Sequence, residues 1–99
     1  MSALSEDQKR HLRRLGHGLK PVVLMGSSGL TPAVSEQIKL ALAHHELIKV
    51  KLVADDRRQR QALAAQIAEQ AGAALVQQVG NIALLYRPNP EKKRRIALP

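Results

Sequence analysis

The hydrophobic positions of this chain recur in two rhythms, one helical and one of extended strands. Ser5 with Gln8 has the form of a capping box, and Glu6 and Asp7 fall in the first turn that would follow. This predicts a helix to about Arg14 or Leu15, with Gly16 as its stop. At about 100° per residue, Leu4, His11, Leu12 and Leu15 share one arc, while Lys9, Arg10, Arg13 and Arg14 occupy another of roughly 140°. Pro21-Val22-Val23-Leu24-Met25 reads as a short buried strand. Thr31 suits a helix N-cap and Pro32 a first helical residue. The helix they open carries Val34, Ile38, Ala41, Leu42 and His45 on one stripe, and Leu40 falls off it.

The stretch "LIKVKLV", residues 47–53, alternates with period two. Ile48, Val50 and Leu52 point to one face and Lys49 and Lys51 to the other, a strand with one covered and one basic, wetter side. Asp55 or Asp56 caps a third helix that holds Leu63 and Ile67 one turn apart and ends before Gly72. "ALVQQV" and "IALLY" flank Gly80-Asn81, a Gly-first pair suited to a type II′ hairpin. Residues 87–99, "RPNPEKKRRIALP", are proline-punctuated and basic, a tail or an edge-hugging segment. The order is α-β-α-β-α-β-β. Helical connections favour parallel neighbours, and the hairpin adds an antiparallel strand. The expected fold class is α/β, an α+β two-layer sandwich on a four-stranded mixed sheet. Residues 1–99 form a single domain in which 87–99 are the basic tail.

Composition narrows what such a domain can do. With 99 residues and 44% apolar content, one core can form. The absence of cysteine removes disulfides, thiol nucleophiles and Cys-type zinc sites. The N-terminus lacks the apolar core of a signal peptide, and no apolar run approaches the ~18 residues of a membrane span. The expectation is a cytoplasmic protein with no membrane partner. Sixteen Lys and Arg against eight Asp and Glu give a formal charge of +8, which attracts a polyanion, nucleic acid before an anionic membrane surface. Tyr86 is the only aromatic residue, so no platform for stacking bases can be built. Nucleic acid would be held through phosphates and shape.

The chemistry-bearing motifs mostly eliminate. Gly26-Ser27-Ser28-Gly29-Leu30 nearly matches the Gly-x-Ser-x-Gly elbow of serine hydrolases, but Leu30 stands where the second glycine must be. The same loop fails the P-loop and dinucleotide patterns. What remains is backbone chemistry. Two glycines permit close approach and positive φ, a helix N-terminus follows, and Ser27, Ser28 and Thr31 add hydroxyls, so a phosphodiester fits. A plain tight connection into a capped helix fits equally well. His45-Glu46 begins a zincin motif that fails at Lys49, leaving one packed and one exposed histidine at a helix end and no metal site. Asp55 and Asp56 are explained by capping. Arg57, Arg58 and Arg60, and Lys92, Lys93, Arg94 and Arg95, either extend a basic surface or are solvated. On the first helix nothing neutralises the four cations, since Glu6 and Asp7 lie too far along to pair with most of them.

Four segments together carry a resemblance: "LKPVVLMGSSGLTPAV", "HELIKVKL", "GAALVQQVGNIALLYRPN" and "KKRRIALP". In this order they resemble the CRM domain (chloroplast RNA splicing and ribosome maturation) in its stand-alone bacterial YhbY-like form, from about Leu4 to Leu98. The resemblance implies a fold similar to the C-terminal domain of bacterial translation initiation factor three. It implies an RNA-binding protein that associates with precursors of the large ribosomal subunit; plant relatives assist group II intron splicing. The family's Gly-x-x-Gly loop falls on Gly26, Ser27, Ser28 and Gly29, and its basic helical face on Lys9, Arg10, Arg13 and Arg14. Family loops commonly hold a basic or amide side chain between the glycines. Here both positions are serine, so backbone N–H donation remains, with cations supplied by neighbours such as Lys20. The expectation is a non-enzymatic, monomeric protein without cofactor. It contacts ribosomal RNA through Lys9, Arg10, Arg13, Arg14, Lys20, Gly26, Ser27, Ser28, Gly29 and Thr31. The rival is a protein–protein adaptor that docks its basic face on an acidic partner.

Overall fold

A computed structural model describes residues 4–93 and 95–99 of the chain, so Arg94 of the basic C-terminal run lies outside the described residues. Three helices and four strands follow one another as α1 (Glu6–Gly16), β1 (Pro21–Leu24), α2 (Pro32–His45), β2 (Leu47–Lys51), α3 (Arg57–Ala71), β3 (Ala74–Val79) and β4 (Ile82–Tyr86). Local signals set most boundaries. Ser5 Oγ accepts the Gln8 N–H (3.1 Å) and Gln8 Oε1 accepts the Ser5 N–H (3.0 Å), closing the capping box of α1. Asp56, not Asp55, caps α3 by accepting the Gln59 N–H at 2.8 Å, and Gly72 closes it in the left-handed conformation. At the hairpin, Gly80 has φ +56 while Asn81 stays at negative φ, the sign pattern of a type II′ turn.

The sheet order is β1-β2-β4-β3. β1 and β2 are parallel neighbours, and β4 runs antiparallel between β2 and β3. Only one of the two helical connections therefore joins adjacent strands. β4 separates the second pair because it buries Ala83 and Leu85 on one face and Leu84 and Tyr86 on the other. A strand that is apolar on both sides belongs in the middle of a sheet.

The two faces are covered unequally. α2 and α3 pack Ile38, Leu42, Ala64, Ile67, Ala68 and Ala71 over Val23, Ile48, Val50, Ala83 and Leu85. This is the two-layer core that the pattern implies, and the off-stripe Leu40 points to solvent at 58% exposure. α1 lies on the opposite face, where Leu12 packs with Leu47, Val76, Leu84 and Tyr86, and it forms a third, partial layer. Gly16 is the last residue of α1 and is buried, so it is not a stop ahead of the helix end. A Cβ there would come within 2.8 Å of Leu84, so the missing side chain lets α1 sit close on β4.

The ends of the sheet also differ. At one end residues 87–93 and 95–99 fold back on the body. Arg87 donates to Ala71 O (3.1 Å) and Asn89 Nδ2 to Ala43 O (2.9 Å), occupying carbonyls in the last turns of α3 and α2. Ile96 and Leu98 pack beside Leu4 and Leu12. Glu46 fastens this segment. Its carboxylate is fully buried and accepts the backbone N–H groups of Asn89 (2.7 Å) and Ile96 (2.8 Å), while its own carbonyl accepts that of Arg87 (2.8 Å). Among the described residues, the opposite end carries the loop after β1, the β2–α3 connection, the hairpin and the starts of α2 and α3, and it is open.

Candidate nucleic-acid interface

The open end begins where β1 stops. Met25 N–H donates to Lys51 O (2.9 Å), which holds the start of the glycine loop beside the end of β2. The loop then turns tightly, with Gly29 N–H donating to Gly26 O at 3.0 Å. Ser27 and Ser28 form the exposed tip. Their N–H groups take no acceptor among the described residues. Of the two glycines only Gly29 has positive φ (+75), and a Cβ at Gly26 would meet nothing. The turn therefore requires glycine at position 29 but not at 26, where the backbone borders open space.

The helix start contributes less than the sequence suggests. Thr31 Oγ1 already accepts the Val34 N–H (3.2 Å), Thr31 O accepts the Ser35 N–H, and Pro32 has no N–H. The donors left without a partner here are chiefly the serine amides and hydroxyls of the loop tip, with the Thr31 O–H beside them.

Basic side chains reach this end along the sheet face that α1 leaves uncovered. On β2, Lys49 is half-buried and Lys51 exposed, on the same face as Leu47. Lys51 pairs with Leu24 of β1 on one side and Ile82 of β4 on the other. A groove of about 420 Å³ between α1 and the sheet is lined by Arg13, His17, Lys49, Gln77, Val79 and Ile82, among others. None of its lining residues is acidic. The α1 cations divide by direction. Leu12 and Gly16 face the sheet, so Lys9 and Arg13 flank that contact and are half-buried, whereas Arg10 and Arg14 point outward. Two of the four also have partners: Lys9 lies 3.9 Å from Glu6 and Arg10 3.5 Å from Asp7, both one turn apart. The first-turn acids thus reach half of the stripe, correcting the unneutralised face read from the sequence. These exposed pairs are weak, worth about 0–1 kcal/mol, and leave both cations accessible.

Lys20 is placed elsewhere. It precedes β1, so the whole strand separates it from Gly26, roughly 20 Å at ~3.3 Å per residue. It borders an apolar groove with Leu15, Leu19, Val22 and His45. Lys51 takes the place beside the loop that Lys20 was expected to fill. His44 and His45 are both exposed, so neither is the packed histidine of the helix stripe.

Two features were not foreseen. Lys49 and Lys51 were legible as a basic strand face, but nothing local tied that face to the loop; the parallel pairing of β1 with β2 does so. Glu46 closes the far end, and burial raises the Tyr86 phenol above its ordinary pKa, with Glu46 adding to the effect and Arg95 opposing it. No group of three or more metal-ligating side chains occurs among the described residues, and no described helix is long and apolar enough to cross a membrane.

Residues 4–87 match the CRS1/YhbY (CRM) domain. The chain is 48% identical over 99 residues to a Haemophilus influenzae protein named RNA-binding protein, covering 100% of this chain and 98% of that one. It is 41% identical over 95 residues to a Pseudomonas aeruginosa protein named a probable RNA-binding protein, covering 96% and 91%. A Staphylococcus aureus protein whose solution structure is described as that of a candidate RNA-binding protein superposes with a TM-score of 0.84 at 32% identity, covering 98% of this chain and 100% of that one. These names indicate no enzymatic family.

Proposed function

Because the chain belongs to the CRS1/YhbY (CRM) domain family, we propose that it is an RNA-binding protein acting on ribosomal RNA in large-subunit (pre-50S) precursors during ribosome assembly. One observation carries the mode of binding: the exposed serine tip with unpartnered amides adjoins Lys51, and from Lys51 an acid-free basic groove leads back through Lys49 to Arg13. A sugar–phosphate strand can touch the loop amides and the cations together. Charge supplies attraction, and the loop positions a phosphate. Arg10 and Arg14, on the outer side of α1, add to the attracting field without lining the groove. The lack of an aromatic platform suits folded RNA read by backbone and shape.

Crosslinking in cells followed by sequencing of the attached RNA tests the target. Reads should concentrate in large-subunit ribosomal RNA and its unprocessed flanks. Reads spread over messenger RNA in proportion to abundance would overturn the ribosomal assignment. Loss of co-purified partners on nuclease treatment separates RNA binding from the adaptor alternative, whose complexes would persist.

A further inference from the structure

At the same open end, beyond the hairpin, lies a second polar hollow that the loop-and-groove surface does not include. It has a volume of about 280 Å³ and is lined by Arg57, Arg60 and Gln61 of α3 and by Gln78 and Gly80 of the hairpin. Arg57 and Arg60 stand one turn apart and converge on it, flanking the core-facing Ala64, while Arg58 projects away from it. Arg60 Nε is shielded from solvent and has no hydrogen-bond partner. A guanidinium offers five donors and no acceptor, so two of them lining one hollow favour an anion there. Neither arginine forms an ion pair among the described residues. The nearby Asp56 takes the Gln59 N–H as the helix cap, and Asp55 is exposed. Gln78 Nε2 donates to Gly80 O at 2.9 Å, which fixes one wall and leaves a second amide hydrogen.

We infer that this notch is a second phosphate-binding subsite, taking a phosphodiester of the same RNA strand that engages the glycine loop. The inference rests on the RNA-binding reading. Phosphate is the chemistry that two convergent arginines with amide donors recognise. Continuity with the loop favours RNA as its source. β1 and β3 are the two edges of the sheet, three strand spacings apart, or roughly 14 Å at ~4.8 Å each. A strand crossing the open end spans that distance in a few nucleotides.

The test measures binding of a fluorescein-labelled RNA hairpin with a single-stranded overhang, over a salt series, to the full chain and to Arg57→Ala, Arg60→Lys and Arg58→Ala. Arg60→Lys keeps the charge and loses the planar fork; Arg57→Ala removes an exposed side chain and is the variant expected to fold unchanged. Arg57→Ala and Arg60→Lys should each weaken binding roughly tenfold, equivalent to ~1.4 kcal/mol. Arg57→Ala should also flatten the log–log salt slope by about 0.7. Arg58→Ala, with the same charge change, should stay within about twofold of the parent, since it makes no directed contact. Equal losses for Arg58→Ala and Arg57→Ala would reduce the notch to diffuse charge and overturn the proposal, as would parent-like binding by both notch variants. Saturable shifts of the Arg60 Nε–H resonance with inorganic phosphate alone, and none with RNA, would assign the notch to free phosphate and overturn its RNA role. An unmodified chain that fails to bind RNA would instead sink the reading on which the proposal stands.

Discussion

Glu46→Gln changes a few atoms of one side chain, yet it should be among the most destabilising conservative substitutions in this fold. The carboxylate is fully buried, and both oxygens are committed, one to the Asn89 N–H at 2.7 Å and the other to the Ile96 N–H at 2.8 Å. Glutamine keeps the shape but replaces one oxygen with an amide group, so a donor then faces a donor. A hydrogen bond to a charged group is worth about 1.5–3 kcal/mol, and the other bond loses its charge assistance, so we expect a loss of about 2–3 kcal/mol. That is a large part of the ~5–15 kcal/mol that holds a domain of this kind together. At ~4–8 °C per kcal/mol for a domain this small, the melting temperature should fall by roughly 10–20 °C. Thermal denaturation followed by circular dichroism measures this. Amide hydrogen exchange localises it, because Asn89 and Ile96 should lose protection before the sheet does. A melting temperature within about 2 °C of the parent, with both amides still protected, would refute the clasp. Glu46 also has φ +63 and ψ −36, unusual for a residue with a side chain. A position strained in this way persists when its surroundings hold it, and the two hydrogen bonds do so.

Other expectations follow from the same geometry. Tyr86 is the only tyrosine and there is no tryptophan, so tyrosinate absorbance reports this residue alone. Its pKa is raised, chiefly by burial, so the folded state keeps a proton that the unfolded chain releases near 10.0. Its contribution to stability is complete below that pH and is lost as pH rises through the folded value; Tyr86→Phe should blunt the alkaline decline, and an unshifted absorbance titration would contradict the assignment. Gly29→Ala forces a side chain into φ +75 and should cost about 1–2 kcal/mol, seen as a lower melting temperature, whereas Gly26→Ala should leave melting unchanged. Lys51→Glu, beside the loop, should reduce RNA affinity at least tenfold, while Lys20→Glu, at the far end of β1, should change it less than about threefold. Equal effects of the two reversals in a filter-binding assay would show that position on the sheet does not matter.

The parts of the fold that were legible in the sequence are those set by short-range chemistry. The Ser5–Gln8 capping box, the Thr31-Pro32 helix start, Gly72 and the Gly80-Asn81 turn each satisfy backbone groups within a few residues. The alternation of residues 47–53 likewise separates a buried from a basic face without reference to the rest of the chain. What was not legible depends on partners distant in sequence. The hydrogen bonds of Glu46 come from residues 43 and 50 positions later, and no periodicity records them; its only local sign is a lone carboxylate at the entry to an apolar strand. Gly16 reads as a helix stop because a pattern of side chains cannot show a contact made by lacking one. In the candidate interface, the loop and the Arg13 flank of α1 were visible, but the substitution of Lys51 for Lys20 follows from the β1–β2 register alone.

A residue-by-residue map of amide chemical shifts, recorded as RNA is added to the isotopically labelled chain, decides where RNA lies on this surface. If RNA lies along the loop and groove, the largest changes run continuously from Ser27 and Ser28 through Lys51 and Lys49 to Arg13, with His44, His45 and the Glu46-bound segment nearly still. Changes centred on that closed end, with the loop tip and Lys51 unmoved, would contradict that placement.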